Sequence, residues 1–306
     1  MLKVFCVEGV MRATNPVVCG RHLFDEDDLG TYHALKRLEP GLMLDVGAAA
    51  GFQARTMLKH SPGSHILAFE PFRGNWEHFE KVIDGTAEAF KPKGTHSVAD
   101  HVTLVKKAVT DHSNGVKFHI SSTIPAGTGG FWGKLPGYSS VGRILGTHPR
   151  DTDEMEVIEV ASTTIDDELG DRTAVFAKID VQGGESAVIR GAARALREGR
   201  IKVLLLEYRG QQDILDALSD YAVYDTPYLI FPKDGDDDPD FSGWEIGAEK
   251  ILSTGRKVFN AWPDAYPADD YAGFFTEQRK RWLNLETDLL FVHPSVAESF
   301  HGERGQ

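Results

Sequence analysis

Short runs that are apolar on both faces alternate with helical segments through the middle of the chain. Strands of that kind must be covered on both sides, so they belong in a parallel sheet flanked by helices. The strand candidates are Gly41–Val46, Ser64–Glu70, His101–Val109, Ala174–Val181 and Ile201–Tyr208, with a return at Thr287–His293. Between them lie helix-compatible stretches from about Phe52 to His60, Asn75–Ile83 and Glu185–Arg197. In the last of these Val188, Ala192, Ala195 and Leu196 share one face, while Arg190, Arg194 and Arg197 share another. The fold class is therefore α/β, a mostly parallel, Rossmann-like sheet with helices on both faces. Residues 1–306 are expected to form one domain. A helical lead-in occupies 1–40, with Leu29–Leu38 as its best helix, and insertions occupy 121–150 and 232–283.

The segment Leu44-Asp45-Val46-Gly47-Ala48-Ala49-Ala50-Gly51-Phe52 carries the most chemistry. Glycine where a strand turns into a helix lets the backbone approach a ligand closely. Glu70 follows nineteen residues after Gly51 and closes the second strand as Phe69-Glu70-Pro71. Ligands of open α/β sheets sit beyond the carboxyl ends of the strands, where an acid after strand two holds ribose hydroxyls. A dinucleotide fingerprint would read G-x-G-x-x-G. Here Gly47 and Gly51 stand in a D-x-G-x-x-x-G arrangement that begins with Asp45. A carboxylate at that place repels phosphate and suits a cationic amino-acid ligand, which favours S-adenosylmethionine over a nicotinamide dinucleotide.

Several ordered motifs resemble the FkbM family of class I methyltransferases. They are MLDVGAAAGF, AFEPFRGNWEHF, VTLVKKAVTDHSNGVKFHI, YSSVGR, VASTTIDDEL, AKIDVQGGESAVIRGA and VLLLEY, spanning roughly Thr31 to Leu206 with a return at Thr287–Pro294. The resemblance implies a seven-stranded sheet, S-adenosylmethionine as cofactor, and methyl transfer to oxygen on a sugar, glycan or other small metabolite. It also implies a cofactor site at Asp45, Gly47, Ala48, Gly51, Glu70, Pro71, Lys107, Ala108 and Asp180. Two positions depart from the family pattern. Ala49 stands where the family usually has Asn, and Gln182 gives D-V-Q-G in place of D-V-E-G. These departures keep two alternatives in view: a cofactor-binding interaction protein without turnover, and an N-methyltransferase.

Methyl transfer from a sulfonium is an in-line displacement that depends on bringing the acceptor close and aligned. An alcohol acceptor also benefits from a general base. The candidates are Asp180 and Glu207, at the carboxyl ends of their strands, and Glu185 at the start of a helix, where a carboxylate also complements the helix end. Lys178, inside the Asp180 strand, is expected to form an ion pair with an acid below the site. The twelve histidines show no ligand spacing, and Asp234–Asp240 lacks the Gly and closing Glu of an EF-hand loop, so no metal is expected. Tyr138-Ser139-Ser140 and His148 lie in the Gly/Ser-rich excursion, where the hydroxyls suit either an acceptor contact or a turn. The aromatic-rich insertion that includes Trp244, Trp262 and Trp282 suits sugar stacking or self-association equally.

The chain carries 46 acids against 33 bases, for a formal charge of −13. That balance disfavours nucleic acid, whose backbone is bound by Lys and Arg. The acidity is local. Residues 151–171 hold nine acids and no base, and 234–240 hold five acids and no base. This points to a neutral or cationic acceptor entering past an acidic rim. Two cysteines, Cys6 and Cys19, make neither a disulfide framework nor a zinc site. No run approaches the roughly 18 apolar residues of a membrane span. With no signal peptide read at the N-terminus, a cytoplasmic location is expected.

Overall fold

The computed structural model describes Leu35 and residues 38–87, 96–120, 142–144, 156–208, 210–225, 249–251, 257–259 and 287–297. Two compact units emerge, one of residues 40–200 and one of 1–39 with 201–306. In the first, strand β1 (Leu42–Val46) leads into helix α1 (Phe52–His60), then β2 (His65–Phe69), α2 (Arg73–Ile83) and β3 (Val102–Val105). Short strands follow: β4 (Ala108–Val109), β5 (Val116–Ile120), β6 (Gly142–Ile144), β7 (Glu156–Val160) and β8 (Ser162–Thr163). Helix α3 (Ile165–Leu169), strand β9 (Ala174–Ile179) and helices α4 (Glu185–Arg190) and α5 (Ala193–Arg197) complete the unit.

The alternation produces the parallel sheet that its two-faced apolar runs require. β9, β1, β2 and β3 lie side by side in that order, and each neighbouring pair is parallel. Met43, Val46, Ile66, Ala68, Ala177 and Ile179 have no exposed surface, so side chains on both faces are covered. Burial of each Met, Val or Ile among them contributes about 1.5–3 kcal/mol. Helix α1 packs against α2, and Phe52 joins Ala50, Val82 and Ala87 in a common cluster.

The second unit supplies β10 (Val203–Tyr208), helix α6 (Gln212–Ala217), β11 (Ala222–Asp225), β12 (Glu249–Ile251), β13 (Lys257–Phe259) and β14 (Thr287–Val292). β14 runs between β10 and β11, antiparallel to both. The main sheet has seven strands and is mostly parallel. Leu204, Leu206 and Leu289–Val292 are fully buried. The hydroxyl of Tyr221 donates to the carbonyl of Ile201 at 2.7 Å, and its ring meets His293 edge-on. β11 was not expected.

The single helix expected over Glu185–Arg197 is two, and the break has a visible cause. A Cβ on Gly191 would lie 2.1 Å from the carbonyl oxygen of Thr110, so the chain passes close against that strand end. The Gly191 carbonyl accepts from the backbone N–H of Asp166. The Asp166 carboxylate in turn accepts from the N–H groups of Arg194 and Ala195, at 2.9 and 2.8 Å. A remote aspartate therefore caps α5 and lets the helix restart. Among the described residues, no helix is long and apolar enough to cross a membrane.

Candidate functional site

Asp45 sits on the fourth residue of β1, directly across from Lys178 on β9. It is fully buried, and neither of its carboxylate oxygens has a hydrogen-bond partner. The Nζ of Lys178 lies 3.7 Å from Asp45 Oδ1 and 3.5 Å from Asp180 Oδ2. One nearly buried ammonium thus stands between two carboxylates, the ion pair expected of Lys178. Burial raises the pKa of Asp45, and the Lys178 charge opposes that rise. An unpartnered buried carboxylate is costly unless something donates to it. Here the Lys178 ammonium, on the neighbouring strand, supplies the compensating charge.

The turn between β1 and α1 is shaped by close approach. Gly47 has φ 87° and Gly51 has φ 85°. A Cβ on Gly47 would lie 1.9 Å from the carbonyl oxygen of Asp180, and one on Gly51 would meet the Phe79 ring at 2.8 Å. Glycine is obligatory at Gly47 for both conformation and space. The turn is tied to the end of β2: the N–H groups of Gly47 and Ala48 donate to the Phe69 carbonyl, at 3.1 and 2.9 Å. The N–H of Ala49 donates to Glu70 Oε2 at 2.9 Å, and that of Phe72 donates to Oε1 at 2.7 Å. Burial nevertheless outweighs these bonds and pushes the Glu70 pKa up to about 7. The Asn75 side chain bonds to the same carboxylate, so three protein groups orient it. Pro71 follows, half-buried, and the indole of Trp76 donates to the Glu70 carbonyl at 2.9 Å.

Asp180 closes β9, with its N–H on the Val46 carbonyl and its side chain 41% exposed. Oδ1 accepts from Gln182 Nε2 at 2.6 Å. Burial raises its pKa, but the Lys178 charge and the Gln182 amide outweigh that and hold the carboxyl below its ordinary value. Two carboxylates expected at the site thus differ in character: Asp45 is sealed and Asp180 is open to a visitor. Glu185 is fully buried, and its Oε1 accepts from the N–H groups of Val181 and Gly183, each at 3.1 Å. Its carboxylate holds the loop after β9.

The structure brings Asp45, Gly47, Ala48, Gly51, Glu70, Pro71 and Asp180 to the carboxyl ends of β1, β2 and β9. Lys107 and Ala108 follow β3. The Lys107 amine is bound to Glu168 Oε1 at 2.8 Å, and the N–H of Ala108 to the Ala161 carbonyl. Glu207 lies on β10 in the second unit, partly exposed, opposite Asp288 in the strand register. Tyr138, Ser139, Ser140, His148 and the 234–240 acids lie outside the described residues, as do both cysteines. Among the described residues no group of three or more His, Cys, Asp or Glu is placed to hold a metal ion.

Two features were missed from sequence. Ala49 and Gln182 have positive φ, 48° and 59°, without being glycine. Each stands next to a glycine or a small-residue turn, so the signal was present only as the departure from family pattern. The acidic rim also changes meaning. Asp166 caps α5, Asp167 accepts from Ser113, and Glu168 accepts from Lys107 and Thr163. These three carboxylates are engaged in holding the fold.

A profile of the methyltransferase FkbM domain matches residues 45–223. No curated protein matches the chain. Among solved structures, the chain is similar to a methyltransferase FkbM from Methylobacillus flagellatus KT, at 16% identity and TM-score 0.38. The match covers 69% of this chain and 53% of the other, so the chain spans about half the length of that protein. It is also similar to a precorrin-6y C5,15-methyltransferase from Geobacter metallireducens GS-15, at 14% identity and TM-score 0.36, covering 67% and 78% of the two chains. A third is an S-adenosylmethionine-dependent methyltransferase from Geobacter sulfurreducens in complex with S-adenosyl-L-homocysteine, at 19% identity and TM-score 0.30, covering 60% and 48%.

Proposed function

The chain belongs to the FkbM methyltransferase family, whose methyl donor is S-adenosylmethionine, and from that premise we propose that it methylates a hydroxyl of a sugar, glycan or small metabolite. The residues at the β1, β2 and β9 ends fit the donor. Asp45, buried beside Lys178, puts negative charge at the end of β1 that complements a cationic donor, and Gly47 and Gly51 hold the turn at positive φ where a Cβ would strike the Asp180 carbonyl and the Phe79 ring. Glu70 suits the ribose hydroxyls, while Pro71, Lys107 and Ala108 border the adenine side. When bound, the donor supplies an electrophilic methyl group, and the protein's task is orientation and exclusion of water.

The observation that carries oxygen over nitrogen is the partly exposed Asp180 carboxylate, placed beside Lys178 and bound by the Gln182 amide. A carboxylate beside an amine stabilises the ammonium form and hides the lone pair that must attack. A hydroxyl suffers no such penalty: it donates to the carboxylate, which orients it and receives its proton as the bond to carbon forms. Asp180 is the acceptor-side residue in this reading. Glu185 keeps the loop beneath it in shape. The acceptor is a small molecule or glycan, with no role for nucleic acid.

The test is release of S-adenosylhomocysteine when the full chain is incubated with S-adenosylmethionine and matched panels of hydroxylated sugars and their amino-sugar counterparts. The reading expects turnover on hydroxyls that Asp180→Asn reduces at least tenfold. Turnover confined to the amines would overturn it.

A further inference from the structure

The loop after β9 holds a conformation that its sequence makes difficult. Gln182 has φ 59°, the left-handed region that a glutamine rarely adopts, and Gly183 follows at φ 111°. The backbone on either side is gripped by one atom: Oε1 of the buried Glu185 accepts from the N–H groups of both Val181 and Gly183. That grip sets the turn and aims the Gln182 side chain back along the strand. Its amide then donates to Asp180 Oδ1 at 2.6 Å. A glycine would hold the same turn without strain, and glycines already occupy the next two positions. Strain kept where a simpler residue would relieve it marks a side chain with a task.

We propose that Gln182 is a positioning residue, whose amide fixes the Asp180 carboxylate in one orientation and presents it, ionised, to the acceptor hydroxyl. The role of the visiting hydroxyl rests on the function proposed above; the link between Gln182 and Asp180 does not. The other charged groups facing Asp180 leave Gln182 a distinct part. Lys178 on the same strand approaches Oδ2, not Oδ1, and is shared with Asp45 on β1. Glu185 on α4 has its carboxylate turned to the loop backbone. The amide is therefore the hydrogen-bond donor assigned to Oδ1. A neutral donor serves where a third carboxylate would add repulsion next to Asp45 and Asp180. With both oxygens engaged on the protein side, the carboxylate has one orientation open to a ligand.

The test uses the full chain labelled with ¹³C at the aspartate carboxyl carbons, with Asp180→Asn identifying the resonance. In the wild type Asp180 titrates below the ordinary aspartate range. Gln182→Gly and Gln182→Met each remove the donor and move that midpoint up by about one pH unit; Gln182→Glu moves it further. Gln182→Gly also leaves the thermal midpoint equal to or above that of the wild type, because the strain is relieved. A purely structural Gln182 would lower thermal stability and leave the Asp180 titration where it was, and that result overturns the proposal. Calorimetry with S-adenosylmethionine on the same samples separates the two readings. Absence of binding to the wild type defeats the methyltransferase reading, while the carboxyl titration decides Gln182 independently.

Discussion

Ala49 lies at φ 48° between the glycine turn's two anchors, and its N–H is one of the two that hold Glu70. An alanine in the left-handed region carries a penalty of about 1 kcal/mol that glycine or asparagine avoids. Ala49→Gly is therefore expected to raise the thermal midpoint by a few degrees, about 2–4 °C for a domain of this size, read by calorimetry without ligand. Gly47 stands at the opposite extreme. With a Cβ 1.9 Å from the Asp180 carbonyl, Gly47→Ala must part the ends of β1 and β9. It is expected to remove cofactor binding and to destabilise the fold by several times the Ala49 gain. Glu70 links the site to pH. Its pKa, raised to about 7 by burial, means that the cofactor-free protein holds a proton there below neutrality. Ribose hydroxyls donate to the ionised form, so affinity rises as pH increases through about 7, and binding near pH 7 releases protons. Calorimetry in buffers of different ionisation enthalpy should show that release in the wild type and lose it in Glu70→Gln. The two glycines and Glu70 were legible in sequence because their spacing states the turn. The left-handed Ala49 and Gln182 were not, because nothing in an alanine or a glutamine announces positive φ.

At the scale of elements, the strands and helices of the parallel sheet follow the periodicity closely. Phe52–His60 is helical as expected, and the four strand candidates of the first unit and β10 shorten by only one or two residues at their ends or split after Val105. The periodicity works there because strands covered on both faces leave little alternative. It fails over Glu185–Arg197, where the pattern of one continuous amphipathic helix hides an interruption imposed from elsewhere. The Thr110 carbonyl crowds Gly191, and Asp166 provides the new cap. No local signal records a cap that comes from 28 residues away. Asp166→Ala is expected to cost about 1–2 kcal/mol, a chemical-denaturation shift larger than that of removing the exposed Glu198. The antiparallel strands β5 and β6 were likewise hidden, being short and bordering the glycine-rich excursion.

For the whole molecule, the formal charge of −13 is the property that the structure reinterprets most. Three of the nine acids in 151–171 cap a helix or bind Ser113, Lys107 and Thr163, and Glu168 is held below its ordinary pKa by Lys107 and Thr163 despite partial burial. Negative charge in that segment thus serves cohesion as well as any field at an entrance. The parallel sheet followed from the sequence, because strands apolar on both faces must be covered on both sides. The sharing of Lys178 between Asp45 and Asp180 did not, since it depends on the register of β1 against β9. That shared cation, with one carboxylate sealed beside it and one open, is the centre of the account. Its most direct measurement is isothermal titration of the full chain with S-adenosylmethionine, wild type against Asp45→Asn. The account predicts one-to-one binding to the wild type that the substitution weakens at least tenfold. Equal affinity in the two proteins, or no binding to either, would contradict it.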